Sequence, residues 1–351
     1  MIRVLMCGPS AKSGGVATHT KSLTEELKKL GTVVISYNFS GSNFKKIYQR
    51  TVGLALNAIY KRTEYDIIHV QASGGIFSFI SAITGAIVAR KLNKRLVVTF
   101  HNSQTLNFVE EYRSVFGFVL NNSDKFILVS SEQKKAVISL FRDTSRVVII
   151  PNGFDKSLYY PMDKEMCRAK LNLPLDKKIV FNISNLIESK GHTYLLSAIS
   201  KVTPVTDNLL CCIAGKGYYR DTLITQCAEL QLQNYVKFLG WLPDEQIPVW
   251  MNACDLFVHP SLAESFGIVQ IEAMACGKPV VATINGGSEC IITSDDYGLL
   301  VESADPDGLA RNILMALDCE WDQETILRYA ERFIWENVAK ETMEEYTWIL
   351  E

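Results

Sequence analysis

Two glutamates, Glu264 and Glu272, lie eight residues apart in an otherwise apolar stretch, HPSLAESFGIVQIEAMACGKPVVA, at residues 259–282. The stretch predicts a buried strand that ends near His259, a loop of small residues, and a helix that begins near Gly267. Both carboxylates would then surround one helix amino terminus at the carboxyl end of a strand. That position favours a diphosphate, because free N–H groups and the helix dipole attract anions. Carboxylates cannot hold phosphate, so we expect these two to bind hydroxyl groups of a sugar and of a ribose.

A glycine-rich loop, GPSAKSGG at residues 8–15, follows the first predicted strand, where open α/β sheets bind phosphates. The loop lacks the G-K-[ST] ending of a P-loop and does not fit the G-x-G-x-x-G pattern of dinucleotide enzymes. Kinase and dehydrogenase chemistry therefore lose their main support. Two interpretations stay open: close approach of the backbone to a ligand, or a tight turn from strand to helix.

The chain of 351 residues is longer than one hydrophobic core usually serves, so two domains are expected. Strand-like and helical patterns alternate, which predicts α/β architecture: two consecutive Rossmann-like, doubly wound domains with parallel sheets. We place them at residues 1–160 and 161–330, followed by a helix, residues 331–351, that packs back on the first domain. The predicted strands are residues 2–7, 33–38, 66–70, 96–100, 125–130, 146–150, 178–184, 209–217, 236–241, 256–261, 279–283 and 298–302.

The cysteines and the amino terminus indicate the cellular compartment. The nine cysteines form no C-x-x-C pair and lie mostly in apolar runs, as in reduced cytosolic proteins. The first strand passes directly into the glycine loop, without the long hydrophobic segment of a signal peptide. Residues 72–89 carry no charge, but Ser, Gly and Thr dilute them and favour a buried crossover helix over a membrane span. We therefore expect a cytoplasmic protein.

The net charge of −2 hides an asymmetry. Residues 1–160 hold 21 Lys and Arg against 10 Asp and Glu, whereas the remainder holds 15 against 28. A basic first half favours an anionic partner such as a membrane surface, a lipid phosphate or an acidic saccharide, although a solvated basic face needs none. We expect no nucleic-acid partner.

One basic segment, FKKIYQRTVGLALNAIYKR at residues 44–62, has the pattern of an amphipathic helix. A surface helix packed on the core and a helix in peripheral contact with an anionic membrane both fit it, and we favour the first. The expected packed face is formed by Phe44, Tyr48, Val52, Ala55 and Ile59.

Two helix starts carry capping signals. Ser130 with Gln133 has the spacing of a capping box, and Asp305-Pro306-Asp307 supplies a cap and a first-turn proline. The second signal also resembles a metal-binding D-x-D motif. It comes directly before the apolar pattern LARNILMAL, so we expect capping and no bound metal.

The E-x₇-E pattern of Glu264 and Glu272 resembles the donor-site signature of the retaining family 4 glycosyltransferases, which have the GT-B fold. The resemblance extends in order over nearly the whole chain, and it implies two Rossmann-like domains that face a central cleft. The other matching segments are SGGVATHTKSLTEELKKLG (13–31), VVTFHNS (97–103), VSSEQKK (129–135), VIIPNGFD (148–155), SNLIESKGHTYLL (184–196), AGKG (214–217), GWLPDEQIPVWMNACDLFVHPS (240–261) and NGGSECI (285–291).

The resemblance implies a role for each matching residue. His101 would lie at the edge of the first domain near the reacting sugar, Lys190 would neutralise the diphosphate, and Glu264 would contact donor-sugar hydroxyls. Glu272 would hydrogen-bond the ribose. A buried core histidine and a solvated lysine are the alternatives for His101 and Lys190. The full set of implied donor contacts is Gly14, Gly15, Asn185, Lys190, Gly215, Glu264, Ser265, Phe266, Gly267, Ile268 and Glu272.

One position departs from the family pattern. Where the family usually has G-R five residues before the lysine, this chain has Ser184-Asn185. Asparagine can hydrogen-bond a phosphate oxygen but supplies no charge, and charge-assisted bonds are roughly twice as strong as neutral ones. Three interpretations stay open: weaker donor binding, compensation by a cation such as Lys216 or Arg220, and an impaired enzyme.

The resemblance implies transfer of a hexosyl-type unit from a nucleotide diphosphate sugar to an acceptor hydroxyl, with retained anomeric configuration, in polysaccharide or glycolipid synthesis. The acceptor would be a saccharide or a lipid-linked saccharide. Lys190 and the helix amino terminus would stabilise the leaving diphosphate without a metal or other cofactor. Two other functions stay open: a nucleotide-sugar epimerase or hydrolase on the same fold, and a non-catalytic nucleotide-sugar-binding subunit, which Asn185 favours.

Overall fold

The computed structural model describes residues 1–9, 14–39 and 43–351, with only the backbone for residues 43 and 44. These residues form two compact units, Met1–Gly153 with Phe333–Glu351, and Phe154–Arg332. The boundaries differ by a few residues from those expected from the sequence. Residues 154–160 belong to the second unit, where the Asn252 side-chain amide donates to the Tyr160 carbonyl oxygen at 3.0 Å.

The first unit is built on a parallel sheet of six strands, β1 Arg3–Gly8, β2 Val33–Asn38, β3 Ile67–Ser73, β4 Arg95–His101, β5 Lys125–Leu128 and β6 Val147–Ile149. The strands lie in the order β2-β1-β3-β4-β5-β6. The helices of this unit are α1 Gly15–Lys29, α2 Asn43–Tyr48, α3 Leu54–Tyr60, α4 Ile76–Leu92, α5 Thr105–Glu111, α6 Arg113–Asn121, α7 Ser131–Leu140 and the C-terminal α15 Trp335–Leu350.

The second unit repeats the plan with β7 Lys178–Ile183, β8 Leu209–Ala214, β9 Val236–Gly240, β10 Leu256–His259, β11 Val280–Thr283 and β12 Gly298–Val301. These parallel strands lie in the order β12-β11-β10-β7-β8-β9. The helices of this unit are α8 Lys164–Lys170, α9 His192–Val202, α10 Arg220–Glu229, α11 Ile247–Ala253, α12 Ile268–Ala275, α13 Pro306–Asp318 and α14 Gln323–Ala330. The predicted α/β fold class is therefore confirmed, and each of the twelve predicted strands is present.

The strands read as continuous apolar runs because helices cover both faces of each sheet. In β1, Leu5 and Cys7 pack into one hydrophobic cluster, which includes Phe79 of α4. The alternating residues Val4 and Met6 pack into another cluster on the opposite face. Side chains of a strand alternate between faces, so one run of four apolar residues, Val4–Cys7, supplies both cores.

The C-terminal helix α15 packs on the first unit. Its residues Val338, Ala339 and Tyr346 are buried in the same cluster as Val4 and Met6. Residues 333–351 are therefore part of the first unit's core, although more than 170 residues of the second unit (Phe154–Arg332) separate them from the rest of it along the chain.

Both predicted helix caps are present. The Ser130 hydroxyl accepts a hydrogen bond from the Gln133 amide at 3.3 Å, and the Asp305 carboxylate accepts one from the Gly308 amide at 2.9 Å. Pro306 occupies the first turn of α13. These contacts account for the D-x-D pattern as a cap.

The uncharged stretch at residues 72–89 forms most of α4, which connects the neighbouring parallel strands β3 and β4 as expected of a crossover helix. It buries Phe79, Ala82 and Ala86 against the sheet, and a Cβ at Gly85 would lie 2.9 Å from Val70. Within the described ranges, no helix combines the length and the apolar character needed to cross a membrane.

The basic segment at residues 44–62 does not bury the predicted face. Tyr48, Val52 and Ile59 are 51%, 51% and 45% exposed, and the buried residues are instead Leu54 and Ala58. The predicted packed face was therefore wrong for these three residues.

A π-helical turn, Gln49–Gly53, lies between α2 and α3 and accounts for the changed face at Ile59, whereas Tyr48 comes before this turn. A π turn contains more residues than an α turn, so the residues after it are rotated about the helix axis relative to a regular helix. Ala55, the next predicted contact, is only half-buried. The prediction for the Phe44 side chain lies outside the described residues.

Candidate active site

The second sheet has a topological switch point between β7 and β10. From β7 the chain continues to β8 on one side, and it later returns through β10 on the other side. Loops at the carboxyl ends of two such strands diverge, and open α/β sheets bind ligands in the resulting crevice. The loop after β7 carries Lys190, and the loop after β10 carries Glu264.

Close main-chain contacts hold these loops together. Gly191, after Lys190, has a φ of 67°, and a Cβ there would lie 1.9 Å from the Pro260 carbonyl oxygen. Gly215, after β8, has a φ of 136°, and a Cβ there would lie 1.8 Å from the Ser184 carbonyl oxygen. Only glycine fits either position, so these two residues set the spacing between the loops after β7, β8 and β10.

Glu264 is the centre of a buried charged cluster. Its Oε1 accepts hydrogen bonds from Lys190 Nζ at 2.5 Å and from His259 Nε2 at 3.1 Å. The Glu264 and Lys190 side chains are 14% and 20% exposed. Burial acts to raise the pKa of Glu264, but the His259 hydrogen bond and the nearby charges outweigh it and lower the pKa to about 2. Lys190 is therefore an ion-pair partner of Glu264, and the solvated-lysine alternative is wrong.

The helix α12 begins beside this cluster. Its N-cap, Gly267, has a φ of 92°, and a Cβ there would lie 2.3 Å from the side-chain Nε2 of Gln270. Glycine offers no side-chain oxygen to the first-turn N–H groups, so the start of α12 keeps the character of an anion-binding helix end. Ser265, Phe266 and Ile268 belong to this loop-to-helix junction.

Glu272 occupies the second turn of α12, in a different environment. Burial raises its pKa to about 7, even though a hydrogen bond from Tyr159 acts to lower it. Burial also raises the pKa of Tyr159, so this phenol stays protonated and able to donate. Glu264 is therefore held ionised by Lys190 and by the hydrogen bond from His259, whereas burial leaves Glu272 partly protonated at neutral pH.

Several buried polar atoms near these loops have no hydrogen-bond partner within the described part of the chain. They are His259 Nδ1, Gln270 Oε1, Asn285 Nδ2 and Ser288 Oγ. Asn285 is joined to the acidic loop, because its carbonyl oxygen accepts from the Glu264 amide at 2.9 Å. Since buried polar groups are normally paired, this concentration of unpaired ones is typical of a site that takes a polar ligand.

Asn185 is exposed in the loop after β7. The neighbouring Leu186 amide donates to the Lys216 carbonyl oxygen at 3.0 Å, so Lys216 lies in the loop that is bonded to the Asn185 segment. The Lys216 ammonium is 5.8 Å from the centre of the Trp241 ring. Arg220 instead pairs with Asp221 at 3.2 Å. Compensation by Lys216 or by Arg220 stays a prediction, because the Tyr219 amide also donates to the Leu186 carbonyl oxygen and brings the residue before Arg220 to the same segment.

In the first unit, His101 ends β4 and is buried. Its Nε2 donates to Gln71 Oε1 at 2.9 Å, and its ring lies edge-on to His19 at 4.6 Å. Burial lowers the pKa of His101 well below its usual value, so the ring is neutral at pH 7. His101 is therefore a hydrogen-bonded core histidine at the carboxyl end of β4, and its place near a reacting sugar stays a prediction.

The glycine loop of the first unit is described only at its ends. Gly14, with a φ of 125°, caps α1, and its carbonyl oxygen accepts from the Ala17 and Thr18 amides. Gly15 is the first residue of α1. The predictions for residues 10–13 of this loop lie outside the described residues.

Sequence reasoning missed two residues of the second unit and a network in the first. His259 was read only as a strand end, yet its ring bonds Glu264, and Tyr159 contacts Glu272 from more than a hundred residues away. The extra network joins Gln71, His69 and Tyr346 to His101. No spacing rule connects such distant positions, although His69 and Gln71 do alternate with apolar residues in a buried strand.

Across the described ranges, no group of three or more His, Cys, Asp or Glu side chains is arranged to hold a metal ion. Two acidic residues near the candidate site have other partners: Glu264 accepts from the Lys190 ammonium, and Glu289 accepts from the Asn285 and Gly286 amides.

Comparison with known proteins places matches over nearly the whole chain. A model described as glycosyltransferase family 4 matches residues 13–158, and one described as glycosyl transferases group 1 matches residues 163–333. An uncharacterized glycosyltransferase of Methanocaldococcus jannaschii is 32% identical, over 95% of this chain and 94% of its own length. A D-inositol 3-phosphate glycosyltransferase of Thermobispora bispora is 27% identical, over 85% of this chain and 74% of its own length.

Solved structures share the fold. Sucrose-phosphate synthase from Thermosynechococcus elongatus is 23% identical, with a TM-score of 0.83 over 100% of this chain and 99% of its own. The Anabaena protein HepE, solved in complex with UDP-glucose, is 25% identical, with a TM-score of 0.76 over 99% of this chain and 100% of its own.

The contrasting environments of the two glutamates predict opposite effects of neutral substitution on stability. The pKa of Glu272 is about 7 in the folded protein against an ordinary 4.5, so the folded protein keeps a proton that the unfolded chain loses. The protonated Glu272 side chain lowers stability very little below about pH 4.5. As the pH rises to 7, the unfolded chain gains the free energy of ionising this group, and the folded protein becomes less stable. Glu272→Gln should therefore raise the free energy of unfolding by up to about 3 kcal/mol at pH 8, and little at pH 5.

Glu264→Gln is the matched control. Its pKa of about 2 lies below the ordinary value, so the carboxylate stabilises the fold above about pH 4.5 and this contribution is lost only as the pH falls towards 2. Glu264→Gln should lower the free energy of unfolding by about 2–3 kcal/mol at both pH 5 and pH 8. Urea unfolding at the two pH values measures both variants, and changes of the same sign for the two would contradict this assignment.

Proposed function

Because the chain belongs to the family 4 glycosyltransferases of the GT-B fold, we propose that it transfers a hexosyl-type unit from a nucleotide diphosphate sugar to an acceptor hydroxyl with retained anomeric configuration. The acceptor is a saccharide or a lipid-linked saccharide, and the product belongs to a polysaccharide or a glycolipid. The observation that carries the proposal is the Lys190–Glu264 ion pair at the switch point of the second sheet, beside the start of α12.

The ion pair suits an exchange of anions when the donor binds. In the free protein one carboxylate oxygen of Glu264 neutralises Lys190 at 2.5 Å. A diphosphate carries more negative charge than a carboxylate, so it takes Lys190 as its own partner and also uses the amide groups at the start of α12. Glu264, still held by His259, then accepts hydrogen bonds from sugar hydroxyls. The same cation thus holds the site together before binding and holds the donor after it.

The chemical step requires departure of the diphosphate from a sugar that becomes oxocarbenium-like. Lys190 and the α12 amino terminus stabilise the developing negative charge, which is the main catalytic contribution. The leaving phosphate oxygen deprotonates the acceptor on the same face of the sugar, so the configuration is retained. Glu264 makes contacts with two cationic or donor groups, which argues against a role as a nucleophile. We propose that no metal takes part.

Glu272 binds the ribose of the donor. A hydroxyl of the ribose donates to the carboxylate, and this contact favours ionisation of a group whose pKa in the free protein is raised to about 7. Tyr159 holds the other side of the carboxylate through its hydrogen bond. Lys216, in the loop joined to the Asn185 segment, supplies the positive charge that Asn185 lacks.

Contact with an anionic membrane is proposed for residues 44–62. This segment exposes Tyr48, Val52 and Leu56, which are 51%, 51% and 56% accessible, on the same segment as several lysines. Arg50 is less available for such contact, because its guanidinium donates to the Phe77 carbonyl oxygen at 3.0 Å. Exposed apolar side chains among cations are typical of a surface that lies on anionic lipid.

The proposed activity predicts binding and turnover with nucleotide diphosphate sugars. A panel of these donors is first scored by thermal shift, and the stabilising donors are then incubated with saccharide acceptors, with the product anomer assigned by NMR. Lys190→Ala should lower kcat by roughly 10²- to 10³-fold, because an electrostatic stabiliser of the leaving group is lost. Lys201→Ala, which removes an exposed lysine paired with Asp307, is the control and should leave kcat unchanged.

Other outcomes of this experiment favour the other functions. Rapid release of free sugar or formation of an epimer without acceptor indicates a hydrolase or an epimerase. Donor binding without turnover under every acceptor indicates a binding subunit. Product with inverted configuration contradicts the proposed mechanism.

If Lys216 supplies the charge that Asn185 lacks, a second substitution should restore the donor binding lost on removing Lys216. Lys216→Ala should weaken donor binding by about 1.5–3 kcal/mol, because a charge-assisted contact is lost. Adding Asn185→Arg to that variant should restore binding, since it returns a cation to the adjacent loop. Isothermal titration of the donor measures both, and Arg220→Ala serves as the control with little expected change. Normal affinity in Lys216→Ala together with a large loss in Arg220→Ala would reverse the assignment.

The membrane proposal predicts flotation with anionic vesicles and not with neutral phosphatidylcholine vesicles. Neutral substitutions at Lys45 and Lys46 should reduce binding to anionic vesicles, and Val52→Ser with Leu56→Ser should also reduce it, because both charge and apolar insertion contribute. Met315→Ser, which replaces a residue of similar exposure in the second unit, is the control. Absence of wild-type flotation would leave this segment as an ordinary surface helix.

A further inference from the structure

We propose that Tyr346, in the C-terminal helix, sets which nitrogen of His101 carries the proton, acting through His69 and Gln71. Tyr346 would then be a positioning residue for the reaction, although it lies far along the chain from His101. The consequence for catalysis depends on the proposed function, whereas the arrangement of protons can be measured without it.

The four side chains form a continuous hydrogen-bonded chain in the first unit. Tyr346 Oη lies 2.5 Å from His69 Nδ1, and His69 Nε2 lies 3.2 Å from Gln71 Nε2. Gln71 Oε1 lies 2.9 Å from His101 Nε2. Each of the four residues is at least nine-tenths buried. Water therefore has little access to replace any link.

The chemistry of the glutamine side chain fixes the direction of the chain. An amide nitrogen only donates and an amide oxygen only accepts. Gln71 Nε2 therefore donates to His69 Nε2, as it also does to Met6 Sδ at 3.6 Å, and Gln71 Oε1 accepts from His101 Nε2. His69 must consequently carry its proton on Nδ1 and donate it to Tyr346.

The Thr99 contact is compatible with this arrangement and does not by itself select it. The Thr99 hydroxyl lies 2.7 Å from His69 Nε2, and a hydroxyl can donate to that unprotonated nitrogen. His101 is left with its proton on Nε2 and a lone pair on Nδ1. The ring can therefore only accept a hydrogen bond at Nδ1, and under the proposed function a lone pair at this atom stabilises developing positive charge.

Removing the Tyr346 hydroxyl should reverse the direction of the hydrogen bonds that link His69, Gln71 and His101. In Tyr346→Phe the Nδ1 proton of His69 would have no acceptor in a buried position, which is costly. His69 avoids this cost by carrying its proton on Nε2, where it can donate to Thr99 or to a rotated Gln71 amide. The rotated amide presents its nitrogen to His101, so His101 moves its proton to Nδ1. An N–H group then replaces the lone pair of His101 at that position.

Long-range ¹H–¹⁵N NMR of the histidine rings tests the arrangement directly, on the full chain and without any ligand. In the wild type, His101 should show a protonated Nε2 and an unprotonated Nδ1, and His69 the reverse. Tyr346→Phe should exchange these assignments in His69 and His101. Thr342→Val is the matched control, because it removes another buried hydroxyl of α15, one that donates to the Val338 carbonyl oxygen of the same helix. It should leave both rings unchanged.

Kinetics with a donor and acceptor from the panel test the consequence. Tyr346→Phe should lower kcat at least about tenfold while the donor KM changes less than twofold, because the lost contact acts in the transition state. Thr342→Val should keep kcat within twofold of the wild type. Equal losses of kcat in the two variants would indicate a general structural effect and overturn the role of Tyr346.

The two measurements separate the two proposals. If the wild type transfers no sugar, the proposed function fails. The protonation of the two histidine rings still shows whether the proposed hydrogen-bond network exists. Wild-type His101 protonated on Nδ1, or no change of either ring in Tyr346→Phe, would overturn this inference whatever the activity.

Discussion

The ion pair between Lys190 and Glu264 is the interaction on which the candidate site depends. It joins the loops that follow β7 and β10, at the place where the sheet order reverses. A buried carboxylate is costly without partners, and here a lysine and His259 both offset that cost. Close main-chain contact at Gly191 and Gly215 keeps the loops near enough for the pair to form. The close backbone contacts allow the ion pair to form, and the ion pair in turn stabilises the contact between the two loops.

The same helix start separates two glutamates into different chemical roles. Glu264 lies before α12, where the hydrogen bond from His259 and the nearby charges lower its pKa to about 2. Glu272 lies within α12, where burial raises its pKa to about 7. The chemical group is identical, so the difference comes entirely from the surroundings. The Glu264 carboxylate is therefore ionised at neutral pH, whereas the Glu272 carboxyl group is partly protonated there.

The first unit shows how a distant segment can become part of a core. The helix α15 contributes Tyr346 to the same cluster as Val4 and Met6 of β1, and its hydroxyl reaches His69 of β3. A buried polar network of this kind is stable only when each member has a partner. The C-terminal helix therefore completes both the packing and the hydrogen bonding beneath His101.

The sequence by itself determined the fold class, the twelve strands and the helix caps, because apolar periodicity and capping residues act locally. The ordered motifs also indicated the family and the acidic loop around Glu264. Only the tertiary structure decided that His259 and Lys190 share one carboxylate oxygen, and that a π turn rotates the basic helix after Tyr48. Contacts between residues far apart in the chain depend on how strands and loops pack, and no local spacing encodes that geometry.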